Sequence, residues 1–228
     1  MTVASAKSLF RATKPKARID LRQAEAFVDL PIQRVPEEGR DPLDYDPTPP
    51  DATAAFLAVE GARIRQLGGH IWEPAAGGGH MVREMRRWGF DVTASDLVGR
   101  GFPGVSLRSF YDFDTAPAPV IVTNPPYCEV NARDGGGRWL RHTMSLRPRY
   151  TAMLLNADWP AARINGMDAL HEQFPMSRVY ICCWKIDFRG GGSPPQRNIW
   201  AVWDADWQGE TVYRRLFREG GEQQEALL

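Results

Sequence analysis

"HIWEPAAGGGHMVREMRRWGFDVTASD", residues 70–96, decides the architecture. An apolar run stops at Glu73-Pro74, three glycines follow at Gly77, Gly78 and Gly79, and a helical pattern then closes at Gly89. A second apolar run ends at Ser95-Asp96. The period changes from strand to helix and back, which is the signature of a βαβ unit with its first turn made of glycine. Upstream, "TPPDATAAFLAVEGARIRQL" predicts a helix from about Asp51, with Pro50 near its first turn, where a missing N–H costs little. Downstream, "VSLRSF", "PVIVTN" and "YTAMLLNAD" read as strands, while "GGGRWLRHTMSLRP" and "PAARINGMDALHEQF" read as helices. "RVYICCW" and "RNIWAVWD" close the series as two strands with a Gly/Pro loop and no helix between them, so they are expected to form an antiparallel hairpin at a sheet edge. The expectation is an α/β, doubly wound, mostly parallel sheet of seven strands with an antiparallel last strand.

Composition sets the outer bounds. The chain has 228 residues, is 43% hydrophobic and 25% charged, and reads as one globular domain. Lys plus Arg and Asp plus Glu number 28 each, so no global basic field announces a polyanionic partner. Residues 1–44 carry Lys7, Arg11, Lys14, Lys16 and Arg18 without an early acid and are expected to form an arm, partly disordered or with one short helix. The main domain is expected over 45–208, followed by a polar tail over 209–228. No run approaches the roughly 18 apolar residues of a membrane span. The three cysteines, Cys128, Cys182 and Cys183, have neither disulfide nor metal-ligand spacing. No metal and no membrane partner are expected, and the setting is expected to be the reducing cytoplasm. Cys182 and Cys183 read as core, and the four histidines show no ligand spacing.

In open α/β sheets a ligand lies beyond the carboxyl ends of the strands. Residues 73–79, Ser95-Asp96 and residues 124–127 are therefore expected to converge. The glycine spacing is not G-x-G-x-x-G, because Val82 stands three residues after Gly79, and this disfavours a pyrophosphate ligand. A strand-end Glu73 suits an ammonium group rather than a phosphate. Asp96 can accept from both ribose hydroxyls of an adenosine moiety, although Asp is also a common turn residue.

At residues 124–127, Asn-Pro-Pro-Tyr cuts an apolar strand short. An exocyclic amine on a nucleobase is a poor nucleophile because its lone pair is delocalised. Two acceptors against its N–H bonds aim that lone pair outward: the Asn124 side-chain oxygen, and the backbone carbonyl of Pro125, held by proline's fixed φ. Pro126 stiffens the turn, and the Tyr127 ring offers a stacking surface for an extruded base. An Asn-Pro turn can also simply end a strand.

With these residues in place, the chain resembles the class I S-adenosylmethionine-dependent methyltransferases, a Rossmann-like fold, and within them the adenine-N6 DNA methyltransferases of small phage and prophage type. "EPAAGGG" resembles their Glu-Pro-x-x-Gly-x-Gly cofactor loop, "NPPY" their catalytic motif and "YDPTPPDAT" the Thr-Pro-Pro segment before the first strand. "FYDFD" resembles, more loosely, the Asp-Phe pair beside the cofactor adenine, with Asp114 a rival to Asp112. The resemblance implies S-adenosylmethionine as cofactor, held by Thr48, Pro49, Glu73, Pro74, Ala75, Gly77, Gly79, Asp96, Leu97, Asp112 and Phe113. It implies catalysis by Asn124, Pro125, Pro126 and Tyr127, and DNA as partner. The same tetrapeptide serves rRNA-guanine and protein-glutamine methylation, and a non-catalytic nucleic-acid-binding module could keep the fold. The Glu73-Pro74 start favours DNA among these. No separate recognition domain is expected within residues 128–228, so sequence reading is expected from loops bearing Arg133, Arg138, Arg141, Arg189 and Arg197. The motifs are silent on strand preference, oligomeric state and any specificity subunit.

Overall fold

The computed structural model describes residues 45–131, 136–192, 194 and 196–218. The basic arm and Arg133 lie outside the described residues.

Helix α1 (Pro50–Gln66) carries its proline at the first turn and Asp51 beside it, both suited to a helix start. It leads into β1 (His70–Glu73), the glycine turn, α2 (His80–Arg87) and β2 (Asp91–Asp96). Next come β3 (Val105–Leu107), a 3₁₀ turn (Phe110–Asp112), β4 (Val120–Thr123) and the one-turn helix α3 (Tyr127–Val130). The chain continues through α4 (Arg138–Ser145), β5 (Tyr150–Asn156), α5 (Met167–Gln173), β6 (Arg178–Cys182), β7 (Asn198–Asp204) and β8 (Val212–Leu216).

The sheet order is β3-β2-β1-β4-β5-β7-β6-β8. Only β7 runs against its neighbours, pairing antiparallel with both β5 and β6. A mostly parallel α/β sheet with an antiparallel seventh strand is as the sequence led one to expect, with two differences. The β6–β7 pair is not an edge hairpin, because β7 inserts between β5 and β6. Among the described residues the sheet also has eight strands: β8, inside the stretch read as a polar tail, adds in parallel to β6. Of β8's residues only Leu216 is buried, so its sequence carries no apolar run to announce a strand.

Both faces of the sheet are covered. One packs Ile71, Val92, Val122, Leu154 and Trp200 under α1 and α2, including Phe56 stacked on Trp200 at 4.3 Å. The other packs Trp72, Ile121, Met153 and Ile199 against Leu140, Met167 and Leu170. Trp200 and Trp203 are core residues. Cys182 is buried but Cys183 is half-buried, since β6 ends before it.

Candidate functional site

The parallel strands β1, β2, β4 and β5 deliver Glu73, Asp96, Asn124 and Asn156 to the same rim of the sheet. Direct hydrogen bonds join three of these positions to their neighbours. Thr123 Oγ1, the last hydroxyl of β4, donates to Glu73 Oε1 at 2.7 Å, and the Ala75 N–H donates to the same oxygen at 2.9 Å. The Gly77 N–H donates to Asp96 Oδ2 at 2.7 Å and the Val98 N–H to Oδ1 at 2.8 Å. Asp96 thus clamps the glycine turn to the end of β2, and each of its oxygens keeps acceptor capacity for a further donor.

Gly77 and Gly79 adopt φ of 51° and 76°, the left-handed region that a side chain disfavours. Space gives a second reason for glycine at both. A Cβ on Gly77 would lie 2.2 Å from the Tyr45 ring, and one on Gly79 2.3 Å from Phe102. Tyr45 packs against the turn: its hydroxyl accepts from the Gly78 N–H at 3.0 Å, and the Arg100 guanidinium sits 4.0 Å from the ring centroid. Sequence reading missed Tyr45, although it opens the quoted "YDPTPP" segment.

Glu73 is fully buried, and its Oε2 has no hydrogen-bond partner among the described residues. Burial pushes its carboxyl up to about 8, the Asp96 charge adding to this while the Thr123 and Ala75 hydrogen bonds oppose it. Leu97, which follows Asp96 in the chain, is 65% exposed, a large apolar side chain left open. Asp112 is exposed, and Phe113 packs on Trp72 at 4.8 Å with the Arg108 guanidinium 4.2 Å above its ring.

Asn124 leaves the fully buried β4 just before two prolines that end the strand. Its Nδ2 donates to Thr48 Oγ1 at 2.9 Å, across 76 residues of sequence. Its Oδ1 is buried and has no partner among the described residues. The Thr48 bond therefore fixes the carboxamide with its acceptor unused. Pro125 is buried, and the Pro126 carbonyl accepts from the Glu129 N–H at 2.9 Å as α3 begins. The Tyr127 hydroxyl accepts from Asn198 Nδ2 at 3.0 Å, which ties the ring to β7.

A cavity of about 360 Å³ opens between Tyr127, Val130, Asn131, Asn156 and Trp159. The Trp159 indole N–H donates to the Val130 carbonyl at 3.0 Å, and Asn156 Oδ1 is buried without a partner among the described residues. Sequence reasoning did not find this cavity. Its only signal was an amide at the end of an apolar strand with a tryptophan three residues on.

The loop arginines are largely engaged elsewhere. Arg138 lies 3.6 Å from Glu129 and over the Tyr111 ring at 3.8 Å, Arg141 donates to the Gly136 and Gly166 carbonyls, and Arg189 pairs with Asp46 at 3.0 Å. Arg197 is exposed.

No protein-family profile and no curated protein matches the chain by sequence. Solved structures do match in three dimensions. One is the modification subunit of a putative type I restriction enzyme from Vibrio vulnificus, at 14% identity and a TM-score of 0.53, covering 78% of this chain and 48% of that one. A putative RNA methyltransferase from Pyrococcus horikoshii matches at 12% identity and 0.54, covering 81% and 96%. A putative class I S-adenosylmethionine-dependent methyltransferase from Listeria monocytogenes matches at 13% and 0.52, covering 74% and 65%. The chain spans about half the length of the Vibrio subunit. At these identities the likeness is one of fold: this is the Rossmann-like fold of the class I methyltransferases. Among the described residues no helix is long and apolar enough to cross a membrane.

Proposed function

We propose that the protein is an S-adenosylmethionine-dependent methyltransferase acting on the exocyclic N6 amine of adenine in DNA. The observation that carries this reading is Asn124 Oδ1, a buried acceptor with no partner among the described residues, on a carboxamide oriented by Thr48. An unmet buried acceptor costs about 1–3 kcal/mol, so the arrangement favours a ligand that brings an N–H donor.

The donor set fits the cofactor. The unpaired Oε2 of Glu73 suits the ammonium of its methionine part, and a cation there would draw the carboxyl back into its charged form. The open acceptor positions on Asp96 suit ribose hydroxyls, and exposed Leu97 suits the flat adenine face. Pro74, Ala75, Gly77 and Gly79 would line its path, Thr48 and Pro49 its methionine end, and Asp112 and Phe113 its base. When bound, the cofactor supplies a methyl group activated on a positively charged sulfur.

The chain's own residues do the rest. Asn124 Oδ1 and the Pro125 carbonyl accept from the two N6–H bonds and draw the amine out of conjugation, leaving its lone pair directed at the methyl carbon. As positive charge grows on N6 the same two oxygens stabilise it, and the surplus proton then leaves to water. Tyr127, held by Asn198, stacks on the base, and the neighbouring cavity gives an extruded nucleotide room. The Glu73-Pro74 resemblance supports DNA over RNA or protein.

Labelled methyl transfer to unmethylated DNA, RNA and cell protein, run with Asn124→Ala in parallel, tests the reading. Label recovered as N6-methyladenine in DNA and lost in the variant is the expected result. Label only in RNA or protein would keep the chemistry and replace the substrate. Cofactor binding without transfer to any pool would leave a non-catalytic module.

A further inference from the structure

β8 is the strand that the sequence did not announce, and one of its faces is unusual. Residues alternate along a strand, so Tyr213, Arg215 and Phe217 share one side of the sheet with Ile181 of β6, which pairs with Arg215. Among the described residues no helix covers them: Tyr213 is 59% exposed, Phe217 39% and Ile181 38%. The Arg215 guanidinium lies 4.9 Å from the centre of the Phe217 ring, and its Nε is 3.4 Å from Cys183 Sγ. Arg214 is exposed on the opposite side of the same edge strand. The stretch "TVYRRLFR", residues 211–218, holds three arginines and no acid. Asp51 Oδ2 lies 3.6 Å from Arg218, and Asp187 accepts from the N–H groups of Arg189, Gly191 and Gly192.

The placement of this face matters as much as its chemistry. β8 runs parallel to β6 and hence to β4, so Phe217 and Arg218 emerge on the rim that carries Asn124. Arg218 reaches Asp51, three residues beyond the Thr48 that holds Asn124. Four strand spacings separate β4 from β8, about 19 Å, a gap that a short single-stranded segment bridges.

We propose that this face docks the strand carrying the target base, stacking unpaired bases on Tyr213 and Phe217 and meeting a phosphate through Arg215; the proposal rests on the nucleic-acid reading above. Exposed rings interleaved with arginines suit single-stranded nucleic acid, because every base has a stackable face and every linkage a negative charge. A second copy fits poorly. Pairing β8 with itself about its centre would set Arg214 against Arg214, a like-charge contact across the new edge.

The test uses the full chain, a labelled adenine-containing single-stranded oligodeoxynucleotide and S-adenosylhomocysteine as a control ligand. Tyr213→Ala/Phe217→Ala should weaken oligonucleotide binding by about tenfold or more, with cofactor affinity and melting temperature unchanged. Tyr213→Phe/Phe217→Tyr should retain binding. Arg215→Gln should reduce the slope of log affinity against log salt by about 0.7, the share of one phosphate contact on a single strand, while Arg214→Gln, on the opposite side of the strand, should leave it unchanged. If wild type binds and methylates DNA and both disruptive variants match it, the docking proposal falls while the methyltransferase reading stands. If wild type binds the control ligand but no nucleic acid, the substrate reading fails and takes the proposal with it. If the variants convert a dimer to a monomer with oligonucleotide binding unchanged, the face is an interface between copies and the proposal is overturned.

Discussion

The two ends of the sheet treat buried polar groups in opposite ways. At the amino ends of the parallel strands, Glu60 of α1 accepts from Arg178 Nε at 2.7 Å, from Tyr150 at 3.0 Å and from Tyr180. Arg178 Nη2 also meets Asp204 at 3.0 Å, and Asp204 accepts in turn from Arg63 at 2.8 and 2.9 Å. Both carboxylates and both guanidinium groups are answered, and the cluster links α1 to β5, β6 and β7. At the carboxyl ends, Glu73 Oε2, Asn124 Oδ1 and Asn156 Oδ1 are buried with no partner among the described residues. A closed network holds the fold together. An open one keeps acceptors ready for something that is not part of the chain. Thr151 Oγ1 and the Trp139 and Trp200 indoles are unpaired elsewhere among the described residues, so it is the convergence of three unpaired acceptors on one rim, rather than buried charge as such, that marks the candidate site.

Breaking the closed end should have the largest effect. Arg178→Met leaves Glu60 buried and uncompensated, which costs about 3–5 kcal/mol of stability and lowers the melting temperature by about 10 °C. The cofactor affinity of the protein that remains folded should not change. Thermal melting with calorimetric ligand titration measures both. A small melting shift would mean that the cluster is solvated rather than closed. Asn124→Ala should do the reverse: methyl transfer falls by about a hundredfold to a thousandfold, in proportion to the loss of one transition-state acceptor, while the melting temperature holds. A variant that melts early would place Asn124 with the structural residues and weaken the contrast.

These two ends were not equally legible in the sequence. Glycine turns, strand-ending prolines and a strand-end acid are local signals, so residues 73–79, Asp96 and residues 124–127 can be read from the chain itself. The amino-end cluster cannot. Glu60 and Arg178 stand 118 residues apart, and a charged residue in a periodic helix reads as surface until its partner is seen. Thr48 shows the same limit at the site: its motif is visible, but its bond to Asn124 spans 76 residues. β8 was missed for another reason. Local readings recognise strands by what they bury, and this one buries little but Leu216.

Glu73 sharpens the comparison through pH. Its folded carboxyl stands near 8 against an ordinary 4.5, so the folded state holds its proton more tightly. Stability from this group is full below about pH 4.5 and is lost as pH rises through about 8. Glu73→Gln, uncharged and similar in shape, should therefore melt like wild type at about pH 5 and later than wild type at about pH 9. The same variant should bind S-adenosylhomocysteine more weakly by about 1.5–3 kcal/mol, the strength of a charge-assisted hydrogen bond. Gain of stability with loss of ligand in one substitution is what an open end predicts. If the variant loses both, Glu73 is structural.

Thr48→Val gives the smallest effect and the most specific one. Valine keeps the buried shape but removes the oxygen that accepts from Asn124 Nδ2, worth about 0.5–1.5 kcal/mol. The fold has other supports there, including Thr123 on Glu73 and the glycine turn on Asp96, so the melting temperature should scarcely move. What changes is the population of Asn124 carboxamides that present Oδ1. That should appear as a roughly threefold to tenfold fall in kcat with the KM for cofactor unchanged, and Thr48→Ser should restore the rate. If the KM for cofactor rises instead and kcat holds, Thr48 serves only the cofactor's methionine end and the aim of Asn124 is set by the strand end alone.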